Sequence, residues 1–337
     1  MTSAFGSIGV VGAGAWGAAL ACAIARAGGR PILWARSAAD ARRIQADREN
    51  PRRLPGVRLP GAVEATADLG VCAGAEALLI AVPAQTNRAM FERLASMAGM
   101  AARPVPVALS AKGLEAETGA FLSDILADVW PNARPAILSG PSFAADVAAG
   151  LPTAVTLACP DEALGRRWAE SLKSPDFRPY LSTDLIGAQL GGAMKNVLAI
   201  ACGVVEGRGL GESARAALIA RGFAEMSRLA QSIGAAPETL GGLSGLGDLA
   251  LTCSSQKSRN MRFGALIGGG RAPSDAAVEV GVVVEGAATA TALLKRAQRA
   301  GVDTPITEVV VEILHANLDV DTALGRLMTR PLRSEFA

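Results

Sequence analysis

Lys195 is the only charged residue in the apolar stretch 185–205, which reads LIGAQLGGAMKNVLAIACGVV between Asp184 and Glu206. Leu185, Ile186, Leu190, Met194, Val197, Leu198, Ile200 and Val204 put bulk on every side of the helix that this composition predicts. A helix apolar all round is buried or crosses a membrane. An ammonium there is costly to desolvate unless something makes use of it, and burial favours its neutral form. A lysine that exchanges a proton near neutral pH serves as a general acid or base. Two plainer readings stay open: the side chain reaches back to solvent, or its charge serves an ion pair that only joins parts of the structure.

A second chemical feature is Gly12-Ala13-Gly14-Ala15-Trp16-Gly17, preceded by Ile8-Gly9-Val10-Val11 and followed by an alanine-rich run that Gly28-Gly29 end. Strand, glycine turn and helix form the context a dinucleotide fingerprint requires. Gly12 allows the tight turn, Gly14 lets backbone approach a pyrophosphate, and Gly17 permits close helix–strand packing. The helix N-terminus offers free N–H groups and a positive dipole end. A third constellation is polar: LSGLGDL at 243–249, then SSQKSRN at 254–260. Serine, arginine and asparagine after a glycine-rich turn can converge on a phosphate, or form a solvated loop and helix start. Asp248, between Gly247 and Leu249, could hold Lys195 or take a substrate hydroxyl.

Other hydride-transfer chemistries lack their parts. His315 lies late, in an apolar helical run, and is not favoured as a catalytic histidine. Tyr180 has no lysine four residues on, zinc ligands are missing, and there is no GK[ST] of a P-loop. No metal site is expected.

These residues need elements to hold them. Strands are predicted at 8–11, 31–34, 77–82, 105–110, 136–139 and around 153–158, with helices at 18–27, 37–48, 86–98, 116–129 and 161–172. Apolar strands separated by helices predict a parallel sheet covered on both faces. Ligands bind beyond the carboxyl ends of such strands, and the polar runs at 83–87, 110–113 and 139–142 fall there. Beyond about 184 the pattern turns helical. The expected fold is therefore α/β: a Rossmann-type doubly wound sheet at 1–183, then an all-helical substrate domain at 184–337.

Composition agrees. Half of the 337 residues are hydrophobic, enough for a large core in two domains, and a net charge of +2 with 4% aromatics argues against a nucleic-acid partner. Cys22, Cys72, Cys159, Cys202 and Cys253 form no CxxC pair, which makes the cytoplasm the default address. The run 8–25 lacks the basic flank of a signal peptide, and 185–205 carries Gln189, Lys195 and Asn196 near its middle, so both are read as core rather than as membrane spans. The large apolar helical domain suggests a homodimer.

GAGAWG, NPRRLPGVRLP at 50–60, SAKGLE around Lys112, SGPSFA at 139–144, GGAMKN around Lys195, GLGDL around Asp248, KSRN at 257–260 and VVEG ending at Gly286 occur in one order. Together they resemble the bacterial NAD(P)-dependent sn-glycerol-3-phosphate dehydrogenases, across nearly the whole chain. The resemblance implies a Rossmann domain and a helical domain with the active site between them, and NAD(P)H as cofactor. It also implies reversible reduction of dihydroxyacetone phosphate to sn-glycerol 3-phosphate, feeding glycerophospholipid synthesis. Lys195 would be the general acid and base, with Lys112, Gly140, Ser142, Asp248, Ser258, Arg259 and Asn260 around the substrate. Gly12, Gly14, Ala15, Trp16, Gly17, Arg36, Lys112, Ala144, Arg259, Val283 and Glu285 would line the cofactor. Ala15 replaces a serine often found in the family's glycine turn, and Ser142 stands where threonine is common.

Two other functions fit parts of the pattern. A β-hydroxyacid dehydrogenase also uses a lysine on a helical domain, but its substrate anion is a carboxylate, and its lysine and asparagine are usually spaced rather than adjacent as Lys195-Asn196 are. A non-catalytic NAD(P) sensor would keep the fingerprint without the rest. At the tip of the second predicted strand stands Arg36-Ser37 instead of the carboxylate that selects NAD. Arg36 can meet a 2′-phosphate. Alternatively it stacks on adenine while Ser37 caps the next helix.

Overall fold

Apolar runs too short for helices alternate with amphipathic ones through the first half of the chain, and they fold as a sheet flanked by helices. The structure, a computed structural model, describes residues 3–281, 283–316, 318–332 and 334. It comprises two compact units, Met1–Ala111 with Leu122–Ala188, and Lys112–Phe121 with Gln189–Ala337.

The first unit opens with β1 (Ser7–Val11), α1 (Ala15–Arg26), β2 (Arg30–Trp34) and α2 (Ala38–Asp47). A small hairpin of β3 (Glu49–Asn50) and β4 (Leu54–Arg58) comes next, then β5 (Glu64–Thr66), α3 (Leu69–Ala73), β6 (Ala77–Ile80), α4 (Asn87–Ala95) and β7 (Val105–Leu109). The unit resumes with α5 (Leu122–Val129), β8 (Ala133–Ser139), α6 (Ala144–Ala148), β9 (Thr153–Ala158), α7 (Glu162–Leu172) and β10 (Phe177–Ser182). The main sheet has the order β10-β9-β8-β7-β6-β1-β2-β5. From β1 the chain steps to β2 on one side and later to β6 and β7 on the other, so the order reverses beside β1. Such a switch point is where α/β sheets bind ligands. Every residue of β6 is buried, as a strand covered on both faces must be.

Three details depart from the pattern expected of the sequence. The sheet is not wholly parallel, because β9 runs antiparallel to β8. The five-residue α6 between them is too short to carry the chain back along the sheet as a crossover helix does. β5 and β10, at the sheet's two edges, carry too little apolar alternation to announce themselves. The helix expected at 116–129 begins only at Leu122, because Gly119 takes a φ of 73° that interrupts helical backbone. Residues 112–121 belong with the helical unit.

That unit is built on α8 (Leu185–Gly207), α9 (Glu212–Ser232), α10 (Pro237–Gly241) and a π-helical turn, Leu243–Gly247, which runs into α11 (Asp248–Cys253). It continues with α12 (Arg259–Gly268), α13 (Pro273–Val280), α14 (Glu285–Arg299), α15 (Pro305–His315) and α16 (Val320–Met328). α8 is long and apolar enough to cross a membrane, yet 89% of its most apolar window is buried within the protein. Glycines let its neighbours approach. A Cβ on Gly203 would lie 2.1 Å from the Met261 carbonyl oxygen, and one on Gly264 would lie 2.0 Å from that of Ile200. α8 and α12 therefore meet backbone to backbone, which brings the start of α12 beside Lys195-Asn196.

Candidate active site

Lys195 is not a solitary charge once the chain is folded. Its Nζ donates to Asp248 Oδ1 at 2.9 Å and to Thr252 Oγ1 at 2.9 Å. Lys112 Nζ donates to the other carboxylate oxygen, Asp248 Oδ2, at 2.7 Å. Asp248 is 1% exposed and Lys195 8%. Two ammonium groups thus share one buried carboxylate. Desolvation pulls the Asp248 carboxyl upward, but Lys112 and Lys195 outweigh it and hold the group below its ordinary range. Desolvation pushes the Lys112 ammonium down to about 8, opposed by Asp248 and assisted by Lys195. Lys112 therefore stays largely protonated at neutral pH and is poised to meet an anion.

Local structure explains this convergence. Gly191, one helical turn before Lys195, admits the Ser244 carbonyl, which would lie 2.3 Å from a Cβ there. That approach packs the π-helical turn against α8 and sets Asp248, the first residue of α11, opposite Lys195. Thr252 follows Asp248 by four residues, and its hydroxyl bridges the pair by donating to Asp248 Oδ1 at 3.3 Å. Asn196 extends the cluster. Its Nδ2 donates to the Lys112 carbonyl at 2.8 Å, its Oδ1 accepts from Asn260 Nδ2 at 2.9 Å, and Asn260 Oδ1 accepts from the Gly286 N–H at 3.1 Å. The amide chain ties segment 112–121, α8, α12 and α14 around one centre.

Ser258 caps α12, accepting the Met261 N–H at 3.2 Å. Arg259 is the first helical residue and is exposed, as is Lys257 before it. Val283 is exposed, and Glu285 opens α14, where its charge favours the protonated form of Lys112.

In the first unit Gly12 takes a φ of 117°, and a Cβ on Gly17 would stand 1.9 Å from the Gly12 carbonyl oxygen. A Cβ on Gly14 would meet nothing within 4 Å, so the space that the middle glycine keeps clear is not filled by protein. Ala18 N–H is the first to bond back, to the Gly14 carbonyl at 3.0 Å. Among the described residues the N–H groups of Ala15 and Gly17 therefore begin α1 without intrahelical acceptors. These residues fit a dinucleotide pyrophosphate. The Gly12 N–H donates to the Trp34 carbonyl at 3.2 Å, which joins the turn to the end of β2. Just beyond, Arg36 is exposed, while Ser37 caps α2 by accepting the Asp40 N–H at 3.2 Å. Gly140 follows β8 with a φ of 133° and accepts the Ser142 hydroxyl at 2.9 Å, and Ala144 starts α6.

Reading along the chain thus singled out residues that fold into two constellations. Gly12, Gly14, Ala15, Trp16 and Gly17, with Arg36, Gly140, Ser142 and Ala144, lie in the sheet unit. Lys112, Lys195, Asp248, Ser258, Arg259, Asn260, Val283 and Glu285 lie in the helical unit. It overlooked Thr252 and the bridging role of Asn196. The spacing of Asp248 and Thr252, four apart on a helix, was the available signal for the first.

The profile for the NAD-dependent glycerol-3-phosphate dehydrogenase N-terminus matches residues 7–165, and that for its C-terminus matches residues 184–325. The chain belongs to this family. Among its relatives, the glycerol-3-phosphate dehydrogenase [NAD(P)+] of Bradyrhizobium diazoefficiens is 51% identical over 99% of both chains. That of Methylobacterium radiotolerans is 52% identical over 97% of this chain and 98% of the other. The crystal structure of glycerol-3-phosphate dehydrogenase from Coxiella burnetii superimposes with a TM-score of 0.91 at 38% identity, covering 96% of this chain and 99% of that one.

Proposed function

We propose that this chain catalyses the reversible reduction of dihydroxyacetone phosphate to sn-glycerol 3-phosphate with NAD(P)H. The observation that carries the reading is the Asp248 carboxylate shared by Lys195 and Lys112. When bound, a nicotinamide cofactor supplies the hydride for the carbonyl carbon. Negative charge then develops on the carbonyl oxygen, and Lys195 Nζ neutralises it by giving up a proton. In the reverse direction Lys195 takes the hydroxyl proton. Asp248 and Thr252 hold the ammonium in one orientation, and positioned proton transfer of this kind contributes about 10²–10⁴-fold. Lys112, Arg259 and the positive dipole end of α12 provide the positive charge that a phosphate requires.

The decisive assay follows NADH absorbance with dihydroxyacetone phosphate beside a panel of oxo acids. Turnover of the phosphate alone supports this reading. Turnover of oxo acids would indicate a β-hydroxyacid dehydrogenase, and binding without any turnover a sensor.

Arg259→Ala is expected to raise KM for dihydroxyacetone phosphate roughly tenfold to a hundredfold, the worth of a charge-assisted hydrogen bond. Lys257→Ala should do far less, and steady-state kinetics of the two variants compares them. Equal small effects would reduce the run to a solvated surface.

Cofactor choice rests on Arg36. Because Ser37 already caps α2, the exposed Arg36 beyond β2 is the group able to meet a 2′-phosphate. NADPH should be accepted at least as well as NADH, and Arg36→Asp should shift preference toward NADH. Values of kcat/KM for both cofactors in both proteins test this, and a parent that strongly prefers NADH, unchanged by the substitution, would remove Arg36 from that role.

The same reading makes the enzyme cytoplasmic, in keeping with five free and buried cysteines. It places the product at the entry to glycerophospholipid synthesis. A homodimer would cover the apolar side chains of Val278, Met328 and Leu332, which are exposed on the helical unit.

A further inference from the structure

Asn50 is 5% exposed although Arg52 and Arg53 close by are exposed. Its backbone belongs to the β3–β4 hairpin, which Leu54 and Leu59 anchor in the same core as α1 and β1. Its side-chain Nδ2 reaches out of that hairpin and donates to the Ala13 carbonyl, inside the glycine turn, at 2.9 Å. A trans peptide points its N–H opposite to its C=O. Holding the Ala13 carbonyl toward Asn50 therefore aims the Gly14 N–H the other way. Among the described residues that N–H has no protein acceptor, and Gly14 is the glycine whose missing side chain leaves open space. A glycine turn is the backbone least able to keep one peptide orientation unaided.

We propose that Asn50 is a positioning residue for the cofactor: by clamping the Ala13 carbonyl it presets the Gly14 N–H as a donor to the dinucleotide pyrophosphate. The inference rests on the dinucleotide-binding reading above and adds to it the group that organises the glycine turn from outside the strand–turn–helix unit. Pre-set donors bind an anion without the cost of ordering the loop.

The test measures binding to the whole enzyme of ADP-ribose, which carries the pyrophosphate, and of adenosine, which does not, by calorimetry and NMR titration. Parent enzyme that binds no ADP-ribose would defeat the dinucleotide reading itself. With the parent binding, Asn50→Ala is expected to raise Kd for ADP-ribose about tenfold, the worth of one hydrogen bond at the upper end of its range, and to leave adenosine within about twofold. Should that variant not fold, Asn50→Leu keeps the bulk without the donor, and the same selective loss is expected. A loss shared equally by both ligands would mean a general distortion of the unit, and no loss for either would mean an idle contact. Either result overturns the proposal.

Discussion

Lys195→Met should lower kcat by about 10²–10⁴-fold, the usual worth of a positioned proton donor, while the Kd for NADH stays within about twofold of the parent. Methionine retains most of the bulk of the lysine stem, so the surrounding helices need not repack. Asp248 is not orphaned, because Lys112 remains 2.7 Å from its other oxygen. A lysine that served only as an ion pair would show its loss in stability and spare the chemical step. Single-turnover kinetics beside a thermal melt separates the two roles. A kcat within about tenfold of the parent would return Lys195 to a structural one.

Asp248→Asn should strongly destabilise the helical unit. It keeps the shape of the side chain but leaves the two ammonium groups, Lys112 and Lys195, facing a neutral amide at a site 1% exposed. Breaking a buried charge cluster by removing one partner costs about 3–5 kcal/mol, because the remaining charge has lost its compensation. Urea unfolding at neutral pH measures the loss. The double variant Lys112→Met with Asp248→Asn should recover part of it, since one of the two ammonium groups no longer faces the amide, and this non-additivity is expected of groups in direct contact. A loss near that of an exposed pair, about 1 kcal/mol or less, would mean that solvent reaches the cluster and already screens it.

Much of this architecture was legible along the chain because the signals are local. The strands beside the switch point hold the apolar runs 8–11, 31–34 and 77–80, and the glycine turn lies between a strand and a helix. Lys195 drew attention by contrast with its neighbours. β5 and β10 were not legible, since edge strands bury one flank only and their alternation is weak. The late start of α5 was obscured because residues 112–121 have helical composition but are held in the helical unit, where Arg296 donates to the Gly119 carbonyl at 3.1 Å.

The sequence by itself determined the succession of elements, the dinucleotide turn and the identity of the buried lysine, since each follows from periodicity or composition within a short window. The partner of that lysine was decided only by tertiary structure. Asp248 lies 53 residues from Lys195 and 136 from Lys112. Asn50, which clamps the glycine turn, lies 37 residues from Ala13. Pairings at such separations follow from which backbones can approach, as Gly191 lets the π-helical turn reach α8 and Gly203 and Gly264 let α8 reach α12. The absence of a side chain is visible in the sequence, but what comes to occupy that space is not. Composition told where a charge would be costly, and packing alone chose what would balance it.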